Sequence, residues 1–184
     1  MSLARTRIAV RLIAVAALAA LTAGCFQPMY SERNDGKPGL REKLMGVEVP
    51  PVDKPNASRE ARIQVEIRNA LAFKLYGNAT GMPPTHRLVL RFNTSRATLM
   101  VDPNTALPTS ENAGIDAQFN LIDLATNKSV MTGTTFSRVT YDTFTGGMQR
   151  FARQRAFRDA EDRAANEIAE NIQTRLASFF YAGT

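Results

Sequence analysis

Apolar residues recur at every fourth position in two stretches of the chain, which predicts two amphipathic helices. The first follows a capping segment at 56–58 and ends near Gly77, a typical C-terminal residue. Its apolar positions are Ile63, Ile67, Leu71 and Leu75. The second covers about residues 150–181, with an alanine-rich stripe that lets a helix lie close to a sheet. Its apolar positions include Ala152, Ala156, Ala160, Ala164, Ile168, Ile172 and Leu176.

Three stretches alternate apolar and polar residues instead, as strands with one buried face do. They lie at 88–93, 115–121 and 130–141. The polar turn before the third predicts antiparallel pairing with the second, and the change of phase after Val130 predicts a bulge at Gly133. The proline-containing stretch 97–113 is predicted to be a long loop, and 46–52 a short strand that ends at two prolines.

The order of these elements is β-α-β-β-β-α, which predicts an α+β fold. Two helices should pack on one face of a mostly antiparallel sheet of about four strands. The opposite face is then left for a partner.

The first 24 residues have the layout of a secretory signal peptide. Arg5, Arg7 and Arg11 precede an uncharged apolar run at 12–23. That run is shorter than the roughly 20 residues that span a membrane. Removing the segment lowers the formal charge from +6 to +3, so the mature chain is only modestly basic and no nucleic-acid partner is expected.

The apolar run ends in Leu21-Thr-Ala-Gly-Cys25, which resembles a bacterial lipobox, and Cys25 is the only cysteine. The resemblance implies that Cys25 carries diacylglycerol and an amide-linked acyl chain such as palmitate. Two or more chains hold a protein firmly to a membrane. By the same resemblance to bacterial lipoproteins, Phe26 after the cysteine, in place of Asp, implies sorting to the outer membrane. We therefore expect a signal peptide at 1–24, a lipidated tether at 25–44 and a single domain at 45–184.

Candidate catalytic chemistry is sparse. One histidine, His86, and one cysteine cannot build a nucleophilic triad or a zinc site, and no phosphate-binding loop is present, so we expect neither enzyme activity nor a cofactor. Asp159, Glu161 and Asp162 alternate with arginines and indicate a solvated ion-pair face of the last helix. An acid pair assembled from distant carboxylates is the catalytic arrangement that the sequence leaves open.

Four segments, taken in order, resemble the lipopolysaccharide-assembly lipoproteins of the LptE family. They are Cys25-Phe-Gln-Pro-Met-Tyr30, Ile63-Gln-Val-Glu-Ile-Arg-Asn-Ala-Leu71, Leu121-Ile-Asp-Leu-Ala-Thr126 and Glu167-Ile-Ala-Glu-Asn-Ile-Gln-Thr-Arg-Leu176. The resemblance implies a non-enzymatic plug inside the outer-membrane barrel LptD. Such a protein supports the assembly of the barrel and helps to deliver lipopolysaccharide to the outer leaflet.

Lipopolysaccharide carries phosphate and carboxylate groups, so its binding requires cations. Arg91, Arg96 and Lys128 are the candidate lipopolysaccharide-binding residues; Arg91 and Arg96 lie on one strand and Lys128 at the tip of a turn. The alternative for each is an ordinary solvated surface charge.

Two other classes of protein fit the same features. One is an auxiliary lipoprotein of a periplasmic lipid-transport ABC system, which would associate with an inner-membrane transporter rather than a barrel. The other is a lipid-anchored hydrolase, which the scarcity of nucleophile motifs disfavours.

Overall fold

The structure is a computed structural model that describes residues 38–51, 55–77, 82–143 and 150–182. It confirms the α+β fold with two main helices and four strands, and it adds one short helix before the first strand. The elements are α1 (Leu40–Met45), β1 (Val47–Glu48), α2 (Arg59–Tyr76), β2 (His86–Val101), β3 (Pro108–Asp123), β4 (Lys128–Asp142) and α3 (Arg150–Ala182).

The four strands form one sheet in the order β1-β2-β3-β4. The two pairs among β2, β3 and β4 are antiparallel, whereas β1 runs parallel to β2, with Val47 beside His86. A parallel neighbour requires a crossover connection, and α2 supplies it. The sheet is therefore mixed.

Helix α2 begins and ends where its capping residues predict. Ser58 is the N-cap, and its hydroxyl accepts a hydrogen bond of 3.0 Å from the backbone N–H of Ala61. Gly77 closes the helix at φ 63°, a conformation that favours glycine, and its N–H donates to the carbonyl of Phe73.

The β2–β3 hairpin is much longer than the sequence predicts. Residues 97–101 and 108–113 are paired strand, so the predicted loop at 97–113 is wrong, and the connection is 102–107. In the sequence, Pro108 indicates a loop, but a proline is tolerated as the first residue of a strand, and Pro108 begins β3. The Asp102 carboxylate closes the turn by accepting a 2.7 Å hydrogen bond from the N–H of Asn104.

The bulge in β4 lies at Val130 and not at Gly133. Leu121 pairs with Met131 and Ile122 pairs with Ser129, which leaves Val130 as the extra residue. Gly133 is in regular register opposite Phe119. The predicted bulge at Gly133 is therefore wrong. The glycine does not interrupt the pairing but leaves room for the side chain of Phe119 opposite it.

The core lies between the two long helices and the face of the sheet that they cover, which we call the inner face. Ala160, Ala164, Ala165 and Ala169 of α3 have no exposed surface and let this helix approach the sheet. The largest fully buried apolar side chains are Val47, Ile63, Ile67, Leu71, Leu88, Ile115, Leu121, Ile168, Ile172 and Leu176.

Helix α1 closes one end of this core. Leu40 and Leu44 are buried, and the Lys43 ammonium donates a 3.1 Å hydrogen bond to the carbonyl of Phe180 in α3. The end of the predicted tether at 25–44 is thus helical from Leu40 onward and contributes to the core.

Candidate functional site

The face of the sheet opposite the helices, which we call the outer face, is predominantly polar. Successive side chains of a strand point to opposite faces of the sheet, so the residues between the buried apolar positions lie on the outer face. It carries Arg91 and Asn93 of β2, Asp116 and Gln118 of β3, and Thr134, Phe136 and Arg138 of β4, all of them exposed.

A groove of about 740 Å³ runs over this face. Pro50 and Pro51, which follow β1, form one wall, and Phe136 lies on the most distant strand. Phe136 is 65% exposed, although a large aromatic side chain is costly to leave in water. The groove therefore combines a cation, Arg91, with apolar groups: the two prolines of one wall and the Phe136 ring.

Arg138 and Asp116 form an ion pair on the outer face. The Arg138 Nη2 donates to both carboxylate oxygens of Asp116, at 2.7 and 2.9 Å, and the guanidinium lies 5.6 Å from the centre of the Phe136 ring. These contacts hold Arg138 in place. Arg91, by contrast, makes no ion pair with any residue that the structure describes, so its charge is available to a ligand.

The predicted cations Arg91 and Lys128 do not lie together. Arg91 pairs in register with Gln118, whereas Lys128 begins β4 beside Asp123, five residues further along β3. At about 3.3 Å per residue, the β3 partners of the two cations, Gln118 and Asp123, are roughly 17 Å apart along the strand. Both side chains are exposed, but one small anion cannot bridge them.

The third predicted cation, Arg96, lies on the other side of the sheet. Its register partner is Ala113, whose side chain is buried on the inner face. The period of two from Leu88, Leu90 and Phe92 already indicates this orientation. Arg96 is therefore not part of the outer groove, and the structure does not bring the three predicted cations together.

Arg96 belongs to a cluster around Glu111, a carboxylate that is only 4% exposed. The Glu111 Oε2 accepts hydrogen bonds from Arg96 and from the Tyr141 hydroxyl, and Oε1 accepts one from Arg153 at 2.9 Å. The Phe157 ring lies beneath the Arg96 guanidinium, 4.7 Å from its centre. Strands β2, β3 and β4 and helix α3 are thereby joined at one polar centre.

Ionisation of Glu111 and Tyr141 is coupled to this environment. Burial disfavours the charge of Glu111, but hydrogen bonds from Tyr141 and Arg96 and the positive charges of Arg96 and Arg153 outweigh it, so the pKa of Glu111 lies below its ordinary value of 4.5. Burial, followed by the hydrogen bond to Glu111, raises the pKa of Tyr141 to about 12. Glu111 is thus ionised and Tyr141 neutral around pH 7.

A second ion-pair cluster joins the two long helices. Glu161 of α3 is 2% exposed and accepts hydrogen bonds from Arg59 and Arg62 of α2. Arg62 also contacts Asp162. The prediction of a solvated ion-pair face is therefore wrong for Glu161, because α2 packs over it, whereas Asp159 remains exposed and pairs with Arg163 within α3.

Sequence reasoning missed Glu111, Tyr141, Arg153 and Phe157 as one cluster. A usable signal was present, because Glu111 lies at alternate positions with Ala113, Ile115 and Ala117 and therefore on the inner face of β3. A carboxylate buried on that face needs cations beside it. The contribution of α3 had no such signal, since Arg153 lies 42 residues from Glu111 along the chain.

The lipidation residue Cys25 and the signal peptide lie outside the described residues. In the described part of the chain, no helix is long and apolar enough to cross a membrane. The same residues contain no group of three or more His, Cys, Asp and Glu side chains placed to hold a metal ion.

Comparison with known proteins identifies a family by sequence and similar folds among solved structures. The family model LptE, described as lipopolysaccharide-assembly, matches residues 44–176. No curated protein matches the chain significantly. A crystal structure from Caulobacter crescentus, of a protein described as a lipoprotein, has a TM-score of 0.60 at 24% identity and covers 79% of this chain and 97% of its own.

Rare lipoprotein B from Shewanella oneidensis has a TM-score of 0.52 at 15% identity, with coverage of 72% of this chain and 93% of that one. At these identities the two structures establish a shared fold. The family match rests on the sequence itself and spans the segment from the end of α1 almost to the end of α3.

Proposed function

The chain belongs to the LptE lipopolysaccharide-assembly family, and on that premise we propose that it plugs an LptD-type outer-membrane β-barrel and supports its assembly. In this role it takes part in lipopolysaccharide transport to the outer leaflet. The family is one of non-catalytic lipoproteins, so the contribution of this chain is binding and support rather than a chemical step. The observation that carries the proposal is the match over residues 44–176.

The outer face is the surface that we assign to the wall of the barrel. The lumen of a large outer-membrane barrel is polar, because each strand alternates apolar residues that face the lipid with polar residues that face the lumen. Asn93, Gln118 and Thr134 offer hydrogen-bonding groups to such a wall, and Phe136 offers one apolar contact. A polar face of this kind suits insertion into a lumen better than burial in lipid.

Cys25 is the proposed attachment to the outer membrane. Each buried methylene contributes about 0.8 kcal/mol to membrane binding, so two or three acyl chains give a durable anchor. The anchored domain would face the periplasm or enter the lumen of the barrel. Lipidation thereby keeps the domain close to the barrel that it supports.

Arg91, Arg96 and Lys128 remain the proposed contacts to lipopolysaccharide. Because they occupy three separate places, we propose that each meets a different anionic group of a large ligand. Arg91 is the strongest candidate, since its guanidinium opens onto the outer groove and can bind phosphate or carboxylate in a bidentate manner.

The decisive experiment is a pull-down of the full chain, expressed with its own signal and a C-terminal tag, from detergent-solubilised membranes of its native host. Mass spectrometry should find one large β-barrel protein in nearly equal amount. A tagged unrelated lipoprotein with the same signal and lipobox, residues 1–25, is the matched control and should not recover this barrel.

Recovery of an inner-membrane transporter in place of a barrel would contradict the proposal and favour the auxiliary lipid-transport class. Recovery of no stoichiometric partner would contradict it as well. A charge substitution in the outer face, Phe136→Asp, should reduce recovery of the barrel if this face contacts the lumen.

A further inference from the structure

The last strand of the sheet, β4, has a long edge that no other described strand covers. The strand order is β1-β2-β3-β4, so β3 pairs with one side of β4 and the other side is open within the described part of the chain. At 15 residues, β4 is long for an edge strand. The opposite edge of the sheet differs, because β1 pairs there with the start of β2 and is followed by Pro50 and Pro51. The edge of β4 is therefore the place where a further strand can be added.

The backbone groups that face away from β3 can be assigned from one hydrogen bond. The N–H of Thr143, just beyond β4, donates to the carbonyl of Thr109 at 2.9 Å. In an antiparallel ladder such residues alternate with residues whose N–H and C=O point to the other side. The pairing is regular from Met131 to Asp142, so the even-numbered residues of this stretch present their backbone groups at the open edge. They are Thr132, Thr134, Phe136, Arg138, Thr140 and Asp142, and all of them are exposed.

This edge lacks the features that usually prevent a strand from pairing with another chain. Such features are prolines, bulges and charged side chains along the edge. Between Thr132 and Thr140 there is no proline and the register is regular, since the bulge lies at Val130. Arg138 is the one charged residue of this stretch, and its guanidinium is held by Asp116 on β3. The edge can therefore accept another extended strand.

The sequence of β4 matches a second copy of itself in antiparallel order. A two-fold axis at Phe136 sets this ring beside the same ring of the second copy, and cross-strand aromatic pairs stabilise sheets. Arg138 then lies opposite Thr134 of the second copy, and Thr132 lies opposite Thr140. In a parallel arrangement with equal residues side by side, Arg138 would meet Arg138, and neighbouring like charges are unfavourable. The charges therefore favour the antiparallel order.

Exposed apolar surface along β4 points to the same partner. Phe136 is largely exposed at the centre of the stretch. On the inner face, Met131 and Val139 are only partly buried at the margin of the core. In the antiparallel order Met131 lies opposite Tyr141 of the second copy, so that the two cores meet along the new strand pair.

We propose that two copies of this chain associate through β4, antiparallel and centred at Phe136, to form one continuous sheet. Each outward-facing residue from Thr132 to Thr140 exchanges two backbone hydrogen bonds with its partner. A second copy is the partner because this register pairs the backbone edges, covers the exposed ring and separates the two copies of Arg138. The association uses the edge of the sheet and does not rest on the proposed function.

Sedimentation equilibrium of the purified full chain in neutral detergent measures the association. We expect a monomer–dimer equilibrium over protein concentrations of about 1 μM to about 1 mM. A monomer at every concentration would overturn the proposal. Assembly beyond a dimer would overturn it as well, because a two-fold interface closes on itself.

Amide hydrogen exchange, read residue by residue, identifies the edge. With rising protein concentration the amides of Thr134, Phe136 and Arg138 should become protected. Those of Thr135 and Ser137, which point to β3, should exchange slowly at every concentration. Protection of the first three that does not change with concentration would mean that another part of the chain or a bound molecule covers the edge, and it would rule out the second copy.

Two substitutions of Thr134 separate the backbone from the side chain. Thr134→Pro removes an N–H that β3 does not use, and proline is tolerated at such positions of an edge strand, so the native circular dichroism spectrum should remain. It should weaken the dimer by about tenfold or more. The matched control, Thr134→Ala, keeps the N–H, and its dissociation constant should stay within about twofold. Equal losses in both variants, or a loss in neither, would contradict pairing through the backbone.

A second pair of variants covers the case in which Thr134→Pro does not fold. Phe136→Lys brings two ammonium groups together at the axis and should weaken the dimer by about tenfold or more, whereas Phe136→Leu keeps an apolar group and should weaken it less. A dimer of native affinity in Phe136→Lys would exclude this register. Recovery of the barrel by the unsubstituted chain is a separate measurement, so a failure of the dimer is distinguishable from a failure of the proposed function.

Discussion

The aromatic ring of Phe119 occupies the space that a side chain at Gly133 would need. The two residues are register partners on β3 and β4, and a Cβ atom built at Gly133 would lie 2.5 Å from Cζ of Phe119. Phe119 is only 3% exposed and belongs to the main core. The glycine is thus required by its neighbour across the sheet.

Substitution Gly133→Ala should lower the free energy of unfolding by about 1–3 kcal/mol, because the ring of Phe119 must shift within a filled core. Chemical denaturation measures the change. The control is Gly39→Ala, since a Cβ at Gly39 meets no atom within 4 Å, and its stability should be nearly unchanged. Wild-type stability in Gly133→Ala would contradict the packing argument.

Substitution Tyr141→Phe removes the hydroxyl that donates to Glu111. We expect the free energy of unfolding at pH 7 to fall by about 1–3 kcal/mol, since a buried carboxylate loses a donor. Denaturation of both proteins between pH 7 and pH 3 measures this difference.

The difference should depend on pH in a defined direction. The pKa of Glu111 is lowered in the folded protein, so its ionisation stabilises the fold above its ordinary value of 4.5, and this stabilisation is lost as the pH falls through the folded pKa. Tyr141→Phe removes part of that lowering. The gap between variant and wild type should therefore narrow below pH 4.5, and a constant gap would argue against the coupling.

Substitution Glu161→Gln should destabilise the contact between α2 and α3. It removes the charge that meets Arg59 and Arg62, and because these arginines are about one-third exposed, we expect a loss of about 1–3 kcal/mol rather than the full cost of a buried pair. Asp159→Asn, in an exposed pair with Arg163, is the control and should change stability by less than about 0.5 kcal/mol.

Alanine substitution of the three predicted lipopolysaccharide contacts should have different effects on the Tm. Arg91→Ala and Lys128→Ala remove exposed charges and should weaken lipopolysaccharide binding while the Tm stays the same. Arg96→Ala should lower the Tm, because it deprives the buried Glu111 of a partner. Differential scanning calorimetry and a lipopolysaccharide-binding assay measure the two effects, with Arg155→Ala and Arg175→Ala as exposed controls. An unchanged Tm in Arg96→Ala would contradict the role of the cluster.

Substitution Cys25→Ser should abolish lipid attachment, because a hydroxyl does not replace the thiol that accepts diacylglycerol in the lipobox pathway. Metabolic labelling with palmitate, followed by purification of the tagged chain, measures incorporation. Label in the wild type and none in the variant is the expected result. Equal labelling of both proteins would place the lipid elsewhere.

The sequence by itself determined the two long helices and the order of the main elements. Periodicity and capping are local properties: the apolar positions four residues apart in α2, with Ser58 before them and Gly77 after them, suffice to define that helix. The same holds for the central parts of the strands, where alternation marks one buried face. The family follows from the sequence as well, since it depends on which residues stand in which order.

Tertiary structure alone decided how far the strands extend and which charges are buried. Residues 97–101 and 108–113 are strand because they pair with each other, which no local pattern requires. Glu161 is buried because another helix covers it, and Glu111 joins Arg153 across 42 residues of chain. Such contacts arise between elements distant in sequence, so their physical cause, the exclusion of water at a shared interface, has no counterpart in any single segment.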